Sequence, residues 1–195
     1  MILSNIIYYL SILIWGIIPF RQYKRRLFLF FLILAIMDPI AISIVTLFHT
    51  SSYSIYIPLL VLSIFSLFEV KTIKNNIYLF ILILVASIIC SCFGSTNLLI
   101  IYLMLLNLVI FIIFLKFALI ELSKEEHINL FYFMLCVYQI SLLLRYMLMI
   151  INIRTGLIFF YISLFFEVLI GTYFIIYNEV TSPKIKLKLS SEKIP

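Results

Sequence analysis

The chain has 195 residues, 66% of them hydrophobic and only 11% charged, where an ordinary soluble domain carries about a quarter charged residues. A soluble core of this size cannot hide so much apolar surface, which excludes a soluble globular fold and predicts one membrane domain. The net charge of +6 falls almost entirely in short connections between apolar runs, so it is no nucleic-acid footprint.

The first run, 3–20, lies in MILSNIIYYLSILIWGIIPF. No basic segment precedes it and no small-residue cleavage site follows, so it reads as a retained helix rather than a signal peptide. Six further runs follow, roughly 27–48, 54–70, 77–94, 97–120, 128–151 and 156–178. About 20 helical residues cross a hydrocarbon core of about 30 Å. Helix is also the structure that satisfies its own backbone in lipid, and no β-barrel alternation is present. The expected fold is an all-α integral membrane domain over 1–178 with seven transmembrane helices, followed by a basic tail over 179–195.

The connections RQYKRR, HTSSYS, KTIKNN, GST, LSKEEH and NIRTG are short, which makes sequential helices antiparallel. On one side fall Arg21, Lys24, Arg25, Arg26, Lys71, Lys74 and Lys124, with Lys184, Lys186, Lys188 and Lys193 of the tail. The other side holds Arg154, so the count is eleven against one. The positive-inside rule then puts the N-terminus outside and the C-terminus in the cytoplasm or matrix. Arg21, Lys24, Arg25 and Arg26, with Lys184, Lys186 and Lys188, form an expected cytoplasmic basic surface facing anionic headgroups or a protein partner. The tail, with Lys alternating with Ile or Leu, reads either as lying on the bilayer or as a solvated end; a strand docked on a partner is a smaller alternative. Tyr8, Tyr9, Trp15, Tyr53 and Tyr56 read as interfacial anchors. A preference for Ile, Phe, Tyr, Lys and Asn matches AT-rich codons, which suits a bacterial cytoplasmic membrane or an organelle inner membrane.

Charge inside the membrane costs several kcal/mol and marks candidate sites. Lys116, Glu69 and Glu121 fall near helix ends, where they can snorkel to water. Asp38, Arg145 and Glu167 do not. At a rise of 1.5 Å per residue, Asp38 and Glu167 each sit about 16 Å into their spans, and Arg145 about 9 Å from the end of its own. Side chains lean toward their helix N-terminus. Arg145 and Glu167 therefore converge, and an ion pair between them is expected, either as structural glue or as part of a site. Tyr138 and Ser141 share a face with Arg145, and Ser163 and Gly171 share one with Glu167, which predicts a polar seam between the last two spans. Asp38 leans the other way, away from Arg145. Pro39 beside it frees the carbonyl of Ala35. Asp38 then reads as a neutral acid donating to a backbone carbonyl or to Asn107, or as a titrating site for a proton, cation or amine.

No constellation for catalysis is present. His49 and His127 fall at opposite faces, Cys90, Cys92 and Cys136 lie in apolar runs, and no H-E-x-x-H, G-x-S-x-G or glycine-rich loop occurs. The seventh run has no lysine to anchor a retinal. Seven spans would suit the parallel repeats of SWEET-type carriers, but Pro19 is followed by Phe20 where their motif has glutamine. The expectation is a non-enzymatic multi-pass protein without cofactor or metal, acting through membrane or cytoplasmic partners as a receptor-like sensor or an assembly subunit. A small-solute or proton-coupled transporter is the alternative.

Overall fold

The computed structural model describes residues 2–125, 127–151 and 156–186. Among them run eight helices: α1 (Ile2–Arg21), α2 (Phe28–Phe48), α3 (Ser52–Ser66), α4 (Val70–Asn75), α5 (Ile77–Phe93), α6 (Thr96–Glu125), α7 (Leu130–Ile150) and α8 (Gly156–Ile176). Two short strands, β1 (His127–Asn129) and β2 (Lys184–Lys186), complete the described fold. Three helices are long and apolar enough to cross a membrane: Phe28–Phe48, the Thr96–Lys124 stretch of α6, and Leu130–Ile150. α1, α3, α5 and α8 are apolar as well, over shorter stretches. The chain is thus an all-α protein with the helices of a membrane protein.

Ile, Leu and Phe carry these helices, and polar residues end them. α2 stops where His49 turns left-handed at φ 54° and its N–H donates to the carbonyl of Val45 at 2.9 Å. α5 stops at Gly94, where a Cβ would come 2.7 Å from the carbonyl oxygen of Cys90, so only glycine fits that turn. Asn129 opens α7 by accepting from the N–H of Phe131 at 3.0 Å, an N-cap of the usual kind.

Six helices close a ring. α1 packs on α2 and on α8, α2 on α3, α3 on α6, and α6 on α7, with a sparser contact from α7 to α8. α5 stands outside the ring against α3, and Ile77, Leu79, Ile81, Leu82 and Ile89 on it are exposed. One half of the ring is filled by fully buried rings of Phe30, Phe31, Phe114, Phe131 and Phe174. Phe31 meets Phe174 at 5.2 Å and Phe131 at 6.1 Å between centroids, and Phe30 meets Phe114 at 5.0 Å. The Phe31–Phe131 and Phe30–Phe114 pairs meet edge-on and Phe31–Phe174 is tilted, arrangements that suit the aromatic quadrupole. This half lies toward the connections that carry Arg21, Lys24, Arg25 and Arg26.

Four details differ from the sequence reading. The third apolar run, taken as 54–70, ends as a helix at Ser66, and Val70–Asn75 forms α4 where a plain loop was expected. Gly171 does not serve a seam between α7 and α8: a Cβ there would lie 2.5 Å from Cγ2 of Ile14, so the glycine lets α1 and α8 approach. Glu121 does not snorkel to water. It pairs with Lys184 at 3.5 Å and accepts from Nδ2 of Asn129 at 2.9 Å.

The fourth is the tail, which as far as Lys186 is not a free end. Lys184–Lys186 pairs antiparallel with His127–Asn129, in the register His127 to Lys186 and Asn129 to Lys184. Ahead of it, the Asn178 side chain accepts from the N–H groups of Val180 and Thr181, holding a turn. Glu179 adds a hydrogen bond from the Tyr132 hydroxyl and, through its carbonyl, one from Asn129 at 3.2 Å. The Lys–Ile alternation suited a strand, and the exposed edge of the α6–α7 connection supplied its partner within the same chain. Lys188, Lys193 and Arg154 lie outside the described residues.

The basic surface is partly engaged. Arg21 donates to the carbonyl of Ile176 at 3.2 Å, and Gln22 between α1 and α8 donates to the carbonyls of Phe174 and Tyr177. The Arg26 guanidinium sits 4.1 Å from the ring centroid of Phe117, a cation–π contact. Lys24, Arg25 and Lys186 are exposed.

Candidate functional site

The other half of the ring is not filled. It encloses a cavity of about 260 Å³ walled by all six ring helices. α1 contributes Tyr8, Ser11 and Trp15, at spacings of three and four that place them on one helical face. α3 does the same with Tyr53, Tyr56 and Leu60, and α2 contributes Leu34, Met37 and Asp38. From α6 comes Asn107, from α8 Leu164 and Glu167, and from α7 Tyr138, Leu142, Arg145, Tyr146 and Met149. The walls thus hold five tyrosines and the chain's single tryptophan. Ser52 and Met149 mark the rim, beside the start of α3 and the end of α7.

Three charged side chains meet in this space. Arg145 Nη1 lies 3.2 Å from Glu167 Oε1, the pair expected from the opposed lean of the two helices. The Glu167 side chain is 16% exposed and that of Arg145 34%, so the guanidinium also faces the cavity. Asp38 is where the sequence reading fails. It was expected to turn away from Arg145 and to donate to a backbone carbonyl or to Asn107. Instead its Oδ1 accepts from the Tyr56 hydroxyl at 2.9 Å, across the α2–α3 contact. It shares the cavity with Arg145 and Glu167, within their electrostatic reach. The reason is the partner: Tyr56, on the neighbouring helix, offers its hydroxyl to the carboxylate. Pro39 beside it is exposed, off the cavity wall, and its carbonyl accepts from the hydroxyl of Ser43 at 2.8 Å.

Asn107 is buried at 1% exposure. Its Nδ2 donates to the carbonyl of Leu103 one turn back at 2.8 Å, and its Oδ1 has no donor among the described residues. A buried acceptor without a donor costs about 1–3 kcal/mol, which is typical of a group held for a ligand or water. Tyr138 is buried and its ring lies 4.7 Å from that of Trp15, so it joins α7 to α1. Ser141 and Ser163 are half-buried and off the cavity wall. The expected seam between α7 and α8 therefore reduces to the one ion pair, because α7 spends its packing face on α6 and α8 on α1.

Tyr8, Trp15, Tyr53 and Tyr56 face inward to the cavity rather than anchoring at an interface, while Tyr9 is 62% exposed. Ser11, on the face of Tyr8 and Trp15, was the available signal that this face meets something polar. Among the described residues no three His, Cys, Asp or Glu side chains cluster as a metal site. The arrangement offers an aromatic-walled pocket with two carboxylates, one guanidinium already shared with Glu167, and one unsatisfied amide oxygen. The groups on its wall can hydrogen-bond and carry charge. No family model, no curated protein and no solved structure matches the chain.

Proposed function

We propose that the chain is a non-enzymatic seven-span membrane protein, N-terminus outside and tail in the cytoplasm, that acts as a receptor-like sensor through a partner on its basic face. The observation that carries this is the half-filled ring: a charged, aromatic-walled cavity in one half and a packed phenylalanine core in the other. With the lysine and arginine bias setting orientation, the cavity opens outward and the core seals the cytoplasmic half. A chain that only scaffolds an assembly has no need of a buried polar pocket in which, among the described residues, an amide oxygen is left without a donor.

A route from ligand to output follows from how α7 and α8 are joined. They touch sparsely along their length. Inside the cavity Arg145 and Glu167 tie them together, and at the basic end the Tyr132 hydroxyl ties α7 to Glu179 just beyond α8. A ligand that favours one spacing of α7 and α8 at the ion pair shifts the population of states at that second tie. The tie holds the turn from which β2 runs, within electrostatic reach of Arg26. A carrier would use the same cavity, with the phenylalanine core as its closed inner gate, and this is the second reading.

Purification from the native membrane at endogenous level, with mass spectrometry of what accompanies the chain, tests the proposal. The sensor reading expects a defined partner at fixed stoichiometry, lost when Lys24, Arg25 and Lys186 are changed together to alanine. It also expects that reconstituted vesicles carry neither a proton current nor solute uptake. Recovery of the chain alone, together with a flux that Asp38→Asn abolishes, would replace it by the carrier.

A further inference from the structure

We infer that the cavity is a site for a small organic ammonium ion, a protonated amine on a compact apolar or aromatic body. This rests on the reading of the cavity as a ligand pocket and names what fills it. The wall carries a surplus of acceptors. Asp38 and Glu167 bring two carboxylates, against the single guanidinium of Arg145, which Glu167 already engages. Among the described residues Asp38 is met directly by one neutral donor, Tyr56, and shares the Arg145 cation at longer range with Glu167. Asn107 adds the buried Oδ1 with no donor among the described residues. A ligand that completes this wall must therefore donate hydrogen bonds and carry positive charge. An anion would meet two carboxylates against one guanidinium that Glu167 already engages. A neutral apolar molecule would leave Asp38 and Asn107 as they are.

The rest of the wall fits the same ligand. Trp15, Tyr8, Tyr56 and Tyr138 line the space, and aromatic rings attract ammonium groups through the ring quadrupole. Leu34, Leu60 and Leu164 supply an apolar floor for the body that bears the amine. A bare alkali ion would want a close cage of oxygens, and among the described residues no three acidic side chains cluster to form one. At about 260 Å³ the space is smaller than the common range for drug-sized ligands, about 300–1,000 Å³, so the molecule is a small monoamine.

Trp15 is the chain's single tryptophan and lies in the wall, so its emission reports the cavity directly. The full chain in detergent micelles is titrated with 2-phenylethylammonium and n-butylammonium chlorides, the neutral 2-phenylethanol and the anionic 3-phenylpropanoate. Trp15 emission and Tm are read together. The expected result is a saturable change in Trp15 emission and a rise in Tm with an ammonium probe. Neither the alcohol nor the carboxylate should reproduce them. Asp38→Asn should weaken the ammonium by at least about tenfold, the worth of a hydrogen bond to a charged group. Asn107→Leu keeps the shape and also weakens it, and serves should Asp38→Asn fail to fold. Binding of 2-phenylethanol or 3-phenylpropanoate as tight as the ammonium overturns the ligand class while leaving the pocket reading in place. Ammonium binding unchanged in the folded variants overturns the assignment to this cavity. No response to any of the four probes overturns both.

Discussion

Replacing Arg145 by methionine is expected to destabilise the protein by about 1–3 kcal/mol, and adding Glu167→Gln is expected to restore most of the loss. Breaking a buried pair by removing one partner ordinarily costs about 3–5 kcal/mol, because the other charge is left uncompensated. The lower figure applies because the Arg145 side chain keeps 34% of its surface open. The loss is larger than the pair alone suggests, since Asp38 shares the cavity and Arg145 is the cation that both acids face among the described residues. A neutral amide at 167 needs no countercharge, so the double change should be milder than the single one. Tm in micelles for the two single variants and the double variant measures this as a cycle. Strict additivity would mean that the 3.2 Å contact contributes nothing to holding α7 against α8.

Phe31→Ala is expected to cost about 2–3 kcal/mol from the cavity it leaves, with Phe31→Leu near half of that. In a membrane the transfer of apolar surface out of lipid gives little, and packing carries helix association. The loss therefore falls on the void. Phe31 is fully buried between Phe30, Phe131 and Phe174, so α2, α7 and α8 all lose a contact at once. α2 carries Phe31, Leu34 and Asp38 at spacings of three and four, which puts the sealing ring and the cavity carboxylate on one face. A well-packed Phe31 therefore also sets how Asp38 meets Tyr56. The check is Tm together with the Trp15 response to 2-phenylethylammonium, which should weaken in Phe31→Ala and hold in Leu29→Ala on the exposed side of the same helix.

The helices were legible because each rests on a local pattern. The run 27–48 became Phe28–Phe48 and the run 128–151 became Leu130–Ile150, within two residues at each end. Arg145 and Glu167 were legible because the lean of a helical side chain and a tight connection are enough to bring them together. The position of Asp38 was not, because its partner Tyr56 sits on another helix, and nothing local says that an aromatic residue near a helix start turns inward. The same holds for Tyr8 and Trp15, whose spacing fits a lipid-facing and a cavity-facing stripe alike. Gly171 showed that a helix comes close without showing which one, and it proved to be α1 through Ile14. The β1–β2 pairing joins residues more than fifty positions apart, so its partner strand could not be read from the tail alone.

In the proposed orientation the aromatic, charged cavity opens to the outside and the basic end lies in the cytoplasm. Cys90, Cys92 and Cys136 are free, so their replacement by alanine gives a background for single engineered cysteines. Ser52→Cys at the cavity rim and Lys74→Cys at the end of α4 are then treated in intact cells with a membrane-impermeant maleimide. The prediction is labelling of Ser52→Cys from outside, reduced by saturating 2-phenylethylammonium, and labelling of Lys74→Cys only after the membrane is opened. Labelling of Lys74→Cys in intact cells with Ser52→Cys protected would invert the orientation and contradict an outward-facing ligand site.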